Sequence, residues 1–217
     1  MVICGEEEWI YLKSIDYSLY LVTDETKPNA ELLSIVESAV IGGVTVVQLR
    51  EKKSKGNEFY EKALALKALL DRYSVPLIIN DRVDIALAVG ASGVHIGQED
   101  IPLQVVKSII PSTMIVGVSV KTLEAAKIAE ENGADYLGVG SCFPTSTKDD
   151  AELLADGMLQ KIIENVHIPI VAIGGINKEN ISELIKYQPN GYAVVSAIIQ
   201  ADNPKEATKN LLREINL

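Results

Sequence analysis

Cysteine is scarce in this 217-residue chain: Cys4 and Cys142 are its only two. They are too few for a disulfide framework or a thiolate zinc site, so the fold must rest on its core. Histidine is equally sparse, with His95 and His167 alone. The sequence has no Gly-x-Ser-x-Gly elbow, no His-Glu-x-x-His and no Cys-x-x-Cys. These absences argue against triad hydrolysis and zinc chemistry. No apolar run approaches the ~18 residues that span a bilayer. The stretch Met1–Ile10 carries three glutamates where a secretory signal carries positive charge. The expectation is a cytoplasmic protein that does not engage membranes. Positive charge is also short, 20 Lys+Arg against 30 Asp+Glu for a net −10. That balance disfavours nucleic acid as a partner, and any anionic ligand must meet a local basic cluster.

What is present is an ordinary globular mix, 47% hydrophobic and 23% charged, without low-complexity segments or linkers. One domain over residues 18–217 is the simplest division, with residues 1–17 as an unclassified extension. Short β-branched runs occur at Ser18–Thr23, Val44–Leu49, Pro76–Ile79, Gly93–Ile96, Met114–Val118, Asp135–Gly138, Pro169–Ile173 and Gly191–Val195. Helical spacing fills the intervals. Phe59, Ala63, Leu66, Leu70 and Tyr73 share one face, and 31–41, 82–89, 102–109, 122–132, 152–165, 178–187 and 204–214 read similarly. Glycine recurs where a helix hands over to a strand, at Gly42-Gly43, Gly90 and Gly133, because it tolerates the left-handed backbone that closes a helix. Wholly apolar strands separated by helices predict a parallel sheet covered by helices. Eight such units predict a closed (β/α)8 TIM barrel. The open doubly wound alternative lacks its dinucleotide fingerprint: Gly138-Val-Gly140 runs into Ser-Cys-Phe, and Ile173-Gly-Gly-Ile176 has the wrong spacing.

In a barrel, chemistry belongs on the loops after the strands. The second strand ends in Gln48-Leu49-Arg50-Glu51-Lys52, where alternation sends Gln48, Arg50 and Lys52 to one side and Leu49 and Glu51 to the other. Two cations and an amide make an anion cradle, or else a solvated charge run. Asn80-Asp81 follows the third strand and Asp100 the fourth. Two carboxylates on adjacent strand ends can share Mg²⁺, which takes one or two carboxylates and completes its shell with phosphate and water. Each aspartate is also placed to cap a helix, Asp81 before Arg82 and Asp100 before Ile101-Pro102. Ser119 follows the fifth strand, to bond a substrate or cap the helix near Thr122. The sixth loop offers Thr145, Ser146, Thr147 and Lys148. Gly174-Gly175 and Val195-Ser196 close the last two strands, where barrels frequently hold phosphate; with Ser196 at the neighbouring corner, phosphate binding is preferred over a mere tight turn of the glycines. His95, inside a strand, reads as a packed, hydrogen-bonded core residue, and His167 as a surface residue. Two anion sites and one metal site suit displacement of pyrophosphate, in which metal and cations stabilise the leaving oxygens and positioning supplies much of the acceleration.

Tyr20-Leu-Val-Thr-Asp24, Gln48-Leu-Arg-Glu-Lys52, Ile79-Asn-Asp81, Val94-His-Ile-Gly-Gln-Glu-Asp100, Gly117-Val-Ser119, Phe143-Pro-Thr-Ser-Thr-Lys148, Ala172-Ile-Gly-Gly-Ile176 and Val194-Val-Ser-Ala197 occur in this order. Together, over roughly residues 18–215, they resemble the thiamine-phosphate synthase family. The resemblance implies a TIM barrel that joins hydroxymethylpyrimidine diphosphate to a thiazole phosphate, or its carboxylate, through a pyrimidine-methyl cation captured by the thiazole nitrogen. It implies that Gln48, Arg50, Lys52, Asn80, Ser119 and Lys148 hold the diphosphate substrate, with the segment Gln48–Lys52, Leu49 and Glu51 included, counted among the binding residues. Arg50, Lys52, Ser119 and Lys148 would act in catalysis, and Asp81 and Asp100 would bind Mg²⁺. Thr145, Ser146, Thr147, Gly175, Val195 and Ser196 would hold the thiazole phosphate. A homodimer is implied by resemblance only. The chain departs from the family pattern at Ser141-Cys142, where proline and an aliphatic residue are usual, and at Tyr192, where a smaller residue is common. Two other readings stand beside this one: a thiazole tautomerase on the same barrel, which has no need of the diphosphate cradle, and a non-catalytic phosphometabolite-binding regulator, which needs only the strand-seven and strand-eight corner.

Overall fold

The computed structural model describes residues 15–145 and 152–216. The strands are β1 Leu19–Val22, β2 Val46–Leu49, β3 Leu77–Asn80, β4 Gly93–Ile96, β5 Ile115–Val120, β6 Tyr136–Val139, β7 Ile170–Ile173 and β8 Gly191–Val194. Each pairs in parallel with its sequence neighbours, and β8 returns to β1 with Leu19 opposite Tyr192, closing the barrel. The helices among the described residues are α1 Asn29–Gly42, α2 Gly56–Asp71, α3 Val83–Val89, α4 Leu103–Ile109, α5 Leu123–Glu131, α6 Met158–Ile163, α7 Ser182–Ile185, α8 Ser196–Ile199 and α9 Pro204–Ile215. None is long and apolar enough to cross a membrane.

Parity along the strands explains the architecture. Leu19 and Leu21, Val47 and Leu49, Leu77 and Ile79, Val116 and Val118, and Leu137 and Val139 face outward into one cluster with the helices. Their alternates Tyr20, Val22, Val46, Ile78, Ile115, Tyr136, Val171 and Ala193 fill the barrel interior. Each aliphatic side chain so buried contributes about 1.5–3 kcal/mol, which is why the strands carry so few polar residues. The interior is fitted by size: a Cβ on Gly117 would sit 2.1 Å from the Tyr136 ring and 2.5 Å from His95 Nδ1. A bulky ring on one strand therefore occupies the space that a glycine leaves on its neighbour.

Helix boundaries depart from the periodicity in three places. Tyr73 lies beyond the end of α2 and is partly exposed, its hydroxyl donating to Glu37 at 2.8 Å; the four residues that precede it in the predicted face are buried. Where 152–165 reads as helix, α6 begins only at Met158, after Gly157 in the left-handed region at φ 69°. The expected 178–187 shrinks to α7. Ser196–Ile199, just beyond the expected strand Gly191–Val195, forms the separate short helix α8. The glycine handovers stand as expected, with φ of 117°, 61° and 84° at Gly43, Gly90 and Gly133.

Candidate active site

The C-terminal ends of the strands converge on a cavity of about 610 Å³ lined by Gln48, Arg50, Lys52, Asn80, Asp81, Asp100, Ser119, Thr145, Gly175, Val195 and Ser196. Inward parity turns polar at this level: Gln48, Asn80, His95 and Ser119 each stand two residues above an apolar or glycine position on the same strand face. Asn80 and Ser119 are strand residues, not loop residues, since β3 and β5 run further than their apolar stretches. Asn80 is buried, and its Nδ2 has no hydrogen-bond partner, an uncompensated donor beside an open cavity.

Lys52 and Asp81 form an ion pair, and the Asp81 carboxyl lies beside that of Asp100. Burial, reinforced by the neighbouring Asp100, holds the Asp81 carboxyl above the usual carboxylate range despite Lys52. Asp81 sits at φ 61°, a left-handed conformation that aspartate tolerates at a cost. Its N–H donates to the His95 carbonyl at 2.8 Å, so the neighbouring strand holds it there. The capping alternative fails for both aspartates. Helix α3 starts after Arg82 and α4 after Pro102, neither with a side-chain cap, and Asp100 Oδ2 instead accepts from the Gly97 N–H at 2.7 Å. Nor does Ser119 cap a helix; Thr122 does so itself, accepting from Ala125 N–H at 3.1 Å.

Above the strand, Glu25 fixes the basic turn. One carboxylate oxygen accepts the N–H groups of Lys52 and Lys53, each at 3.0 Å. Burial pushes this carboxyl up, but those two bonds and the charges of Lys53 and Arg50 outweigh it and hold it below the ordinary value. The Arg50 N–H is bonded to the buried Thr23 hydroxyl at 3.1 Å. Leu49 and Glu51 do not line the cavity: Leu49 lies in the outer cluster, and the buried Glu51 carboxylate takes Lys62 and Ser54. As side chains they belong to the scaffold, as strict alternation requires.

At the other side of the mouth, Gly174 and Gly175 adopt φ of 102° and 63°. A Cβ on Gly174 would lie 2.1 Å from Ser141 Oγ, and one on Gly175 would lie 2.4 Å from the Pro144 carbonyl. These glycines thus admit the strand-six loop against the strand-seven loop. The helix nearest this corner is α8, opening at Ser196 directly after Val195; α7 begins seven residues beyond Gly175. Ser146, Thr147 and Lys148 lie outside the described residues, as does Cys4. The unusual Ser141 is buried with its Oγ donating to the Phe143 carbonyl at 2.7 Å, Cys142 leans on the outer cluster, and burial lifts its thiol to about 11. Tyr192 also faces the outer cluster, so its bulk does not enter the cavity.

Lys121, Tyr20 and Tyr136 line the cavity without having been singled out for it, and His95, read as a packed, hydrogen-bonded core residue, is that and lines the cavity too. Lys121 reaches the mouth and pairs with Glu152 at 3.2 Å. Tyr20, Tyr136 and His95 form the floor, where Gln48 Nε2 donates to Tyr20 Oη at 2.9 Å, Tyr20 and Tyr136 hydroxyls meet at 2.8 Å, Tyr136 Oη meets His95 Nδ1 at 2.9 Å, and His95 Nε2 meets Ser119 Oγ at 2.8 Å. Full burial drives His95 down to about 4 and both tyrosine hydroxyls well above their ordinary value. Inward parity was the available signal for all three.

A family model described as thiamine monophosphate synthase matches residues 19–198. The thiamine-phosphate synthase of Methanobrevibacter smithii is 49% identical over 203 residues, covering 94% of this chain and 97% of that protein. That of Alkaliphilus oremlandii is 50% identical over 206 residues, covering 94% and 99%. Among solved structures, thiamine phosphate pyrophosphorylase from Pyrococcus furiosus superposes with a TM-score of 0.86 at 43% identity, covering 93% of this chain and 96% of that one.

Proposed function

The chain belongs to the thiamine monophosphate synthase family, and from that premise we propose how its own residues carry out the coupling of a pyrimidine-methyl diphosphate to a thiazole phosphate with release of pyrophosphate. The gathering of Arg50, Lys52, Asp81 and Asp100 on one cavity wall carries the reading. Those residues come from two neighbouring strand ends and the loop after a third, and a phosphate-binding regulator has no use for them. A tautomerase likewise does not need a diphosphate cradle.

The donors available there divide by chemistry. Arg50 forks onto phosphate oxygens, Lys52 supplies a compact charge, and the unpartnered Asn80 Nδ2 supplies a neutral donor. The paired carboxylates of Asp81 and Asp100 fit magnesium: hard oxygen donors side by side, that of Asp81 held above the usual carboxylate range by burial and by its neighbour, a cost that a cation there would relieve. Asp81 and Asp100 would hold the ion, and its chemistry there would be to offset negative charge on the diphosphate. Lys52, paired with Asp81 at the same wall as Arg50, supplies a second positive charge for the leaving oxygens. Gln48 and Ser119, across the floor, orient the ring, so that the carbon losing the diphosphate faces the incoming thiazole nitrogen. The second phosphate is placed at the Gly175 and Val195–Ser196 corner opposite. No enzymic nucleophile is required, because the thiazole nitrogen already carries its lone pair and the site has only to position it and stabilise leaving charge.

The test is direct. Purified protein with both substrates and Mg²⁺ forms thiamine phosphate and pyrophosphate in equal amounts, and chelation of the metal abolishes turnover. Absence of both products with either thiazole form overturns the reading. For the metal assignment, Mg²⁺ raises the melting temperature of the substrate-free protein, and Asp81→Asn removes that rise while leaving the metal-free melting temperature within a few degrees.

A further inference from the structure

The floor of the cavity is a single file of hydrogen bonds, Gln48–Tyr20–Tyr136–His95–Ser119, and its hydrogens can be counted. Gln48 Nε2 is a donor only, so Tyr20 Oη accepts there. The Tyr20 hydrogen then has one acceptor within reach, Tyr136 Oη. Having accepted, Tyr136 donates to His95 Nδ1. That nitrogen is therefore the bare one, and His95 carries its hydrogen on Nε2, donating to Ser119 Oγ. Running the file the other way leaves the Tyr20 hydrogen pointing at two donors inside a fully buried site, a cost of about 1–3 kcal/mol. The glycines at 117 and 138 hold the ring in this line, for a Cβ on either would press on His95 at 2.5 or 3.0 Å.

We propose that this file fixes His95 as its Nε2–H tautomer and so makes Ser119 a hydrogen donor toward the cavity, selecting a substrate atom that accepts, such as an aromatic ring nitrogen, over one that donates. His95 and Tyr136 are positioning residues: they act through Ser119. The Ser119 hydroxyl accepts from His95, its remaining hydrogen is free to point into the cavity, and its orientation is set before the substrate arrives. The kinetic consequence rests on the synthase reading; the tautomer itself does not.

Ring-¹⁵N-histidine protein at neutral pH, free of substrate, reports the tautomer through its long-range proton–nitrogen correlations. With only two histidines, His167→Gln leaves His95 as the sole signal. The expected spectrum is the Nε2–H form alone, and Tyr136→Phe, which removes the donor to Nδ1, brings up the Nδ1–H form. In turnover, Ser119→Ala lowers kcat/KM about ten-fold and Tyr136→Phe about five-fold, and the double variant falls no more than about two-fold below Ser119→Ala, since both act through one hydroxyl. The Nδ1–H form in the parent protein, an unchanged spectrum in Tyr136→Phe, or losses that multiply would each overturn the proposal. If the parent protein shows no turnover, the synthase reading falls and the spectra still decide the tautomer.

Discussion

Lys52 is bonded to Asp81 across the gap between β2 and β3, so the carboxylate proposed to receive magnesium is already held by a protein cation. The two positive charges compete. Lys52→Gln is expected to tighten Mg²⁺ binding to the substrate-free protein about three- to ten-fold, read by calorimetry, while lowering kcat at least about 100-fold, since the lysine is needed on the leaving oxygens. Weaker metal binding in this variant would show that Lys52 does not compete for the carboxylate.

Glu25 touches none of the lining side chains of Arg50 or Lys52, yet it holds the turn that carries them. Glu25→Ala should raise KM for the diphosphate substrate about ten-fold, with a stability loss of about 1–2 kcal/mol because the half-buried carboxylate accepts two backbone N–H groups. An unchanged KM would mean that the turn keeps its shape unaided.

Glu51 sits in the same five-residue stretch but serves the scaffold. Its carboxylate is 1% exposed and paired with Lys62, so Glu51→Leu or Glu51→Gln strands a cation in a half-closed site, at roughly 2–4 kcal/mol in denaturant unfolding. KM values should stay near those of the parent. A large rise in KM would return Glu51 to the binding residues.

Gly175→Ala sets a Cβ against the Pro144 carbonyl, at a backbone angle unsuited to alanine. The strand-six loop must yield. The expected outcome is a loss of about 1–3 kcal/mol and a KM rise confined to the thiazole phosphate. A rise shared equally by both substrates would show that Gly175 does not serve the thiazole phosphate in particular.

His95 makes stability depend on acid. Its folded value of about 4 lies below the ordinary 6.5, so between these limits the unfolded chain binds the extra proton. This contribution is whole above about pH 6.5 and is lost as pH falls toward 4, up to about 3 kcal/mol in all. Urea unfolding of the metal-free protein should therefore show a shallower loss between pH 6.5 and 4 for His95→Gln than for the parent. Parallel curves would refute the assignment.

The barrel was legible because its strands are short and apolar on both faces, and because Gly43, Gly90 and Gly133 punctuate the returns. The placements of Gln48, Arg50 and Lys52 on one side, and of Leu49 and Glu51 on the other, follow from alternation alone. Alternation could not show that Tyr20, Tyr136 and His95 meet, since those contacts depend on the stagger between strands that are up to 116 residues apart. Nor could residue type decide between cap and ligand at Asp81 and Asp100: both roles favour aspartate, and only the helix starts and the bond from Gly97 to Asp100 remove the cap. Helical periodicity overran at 152–165 because it weighs apolar spacing and not the left-handed Gly157.

All eight strands point the same way, so the glycine-closed returns at Gly43, Gly90 and Gly133 lie at the rim remote from the cavity. Thermal hardening of this molecule can be sought at that far rim, for example by shortening or rigidifying its connections, while turnover is left untouched. Evolution and engineers alike have two separate dials to turn.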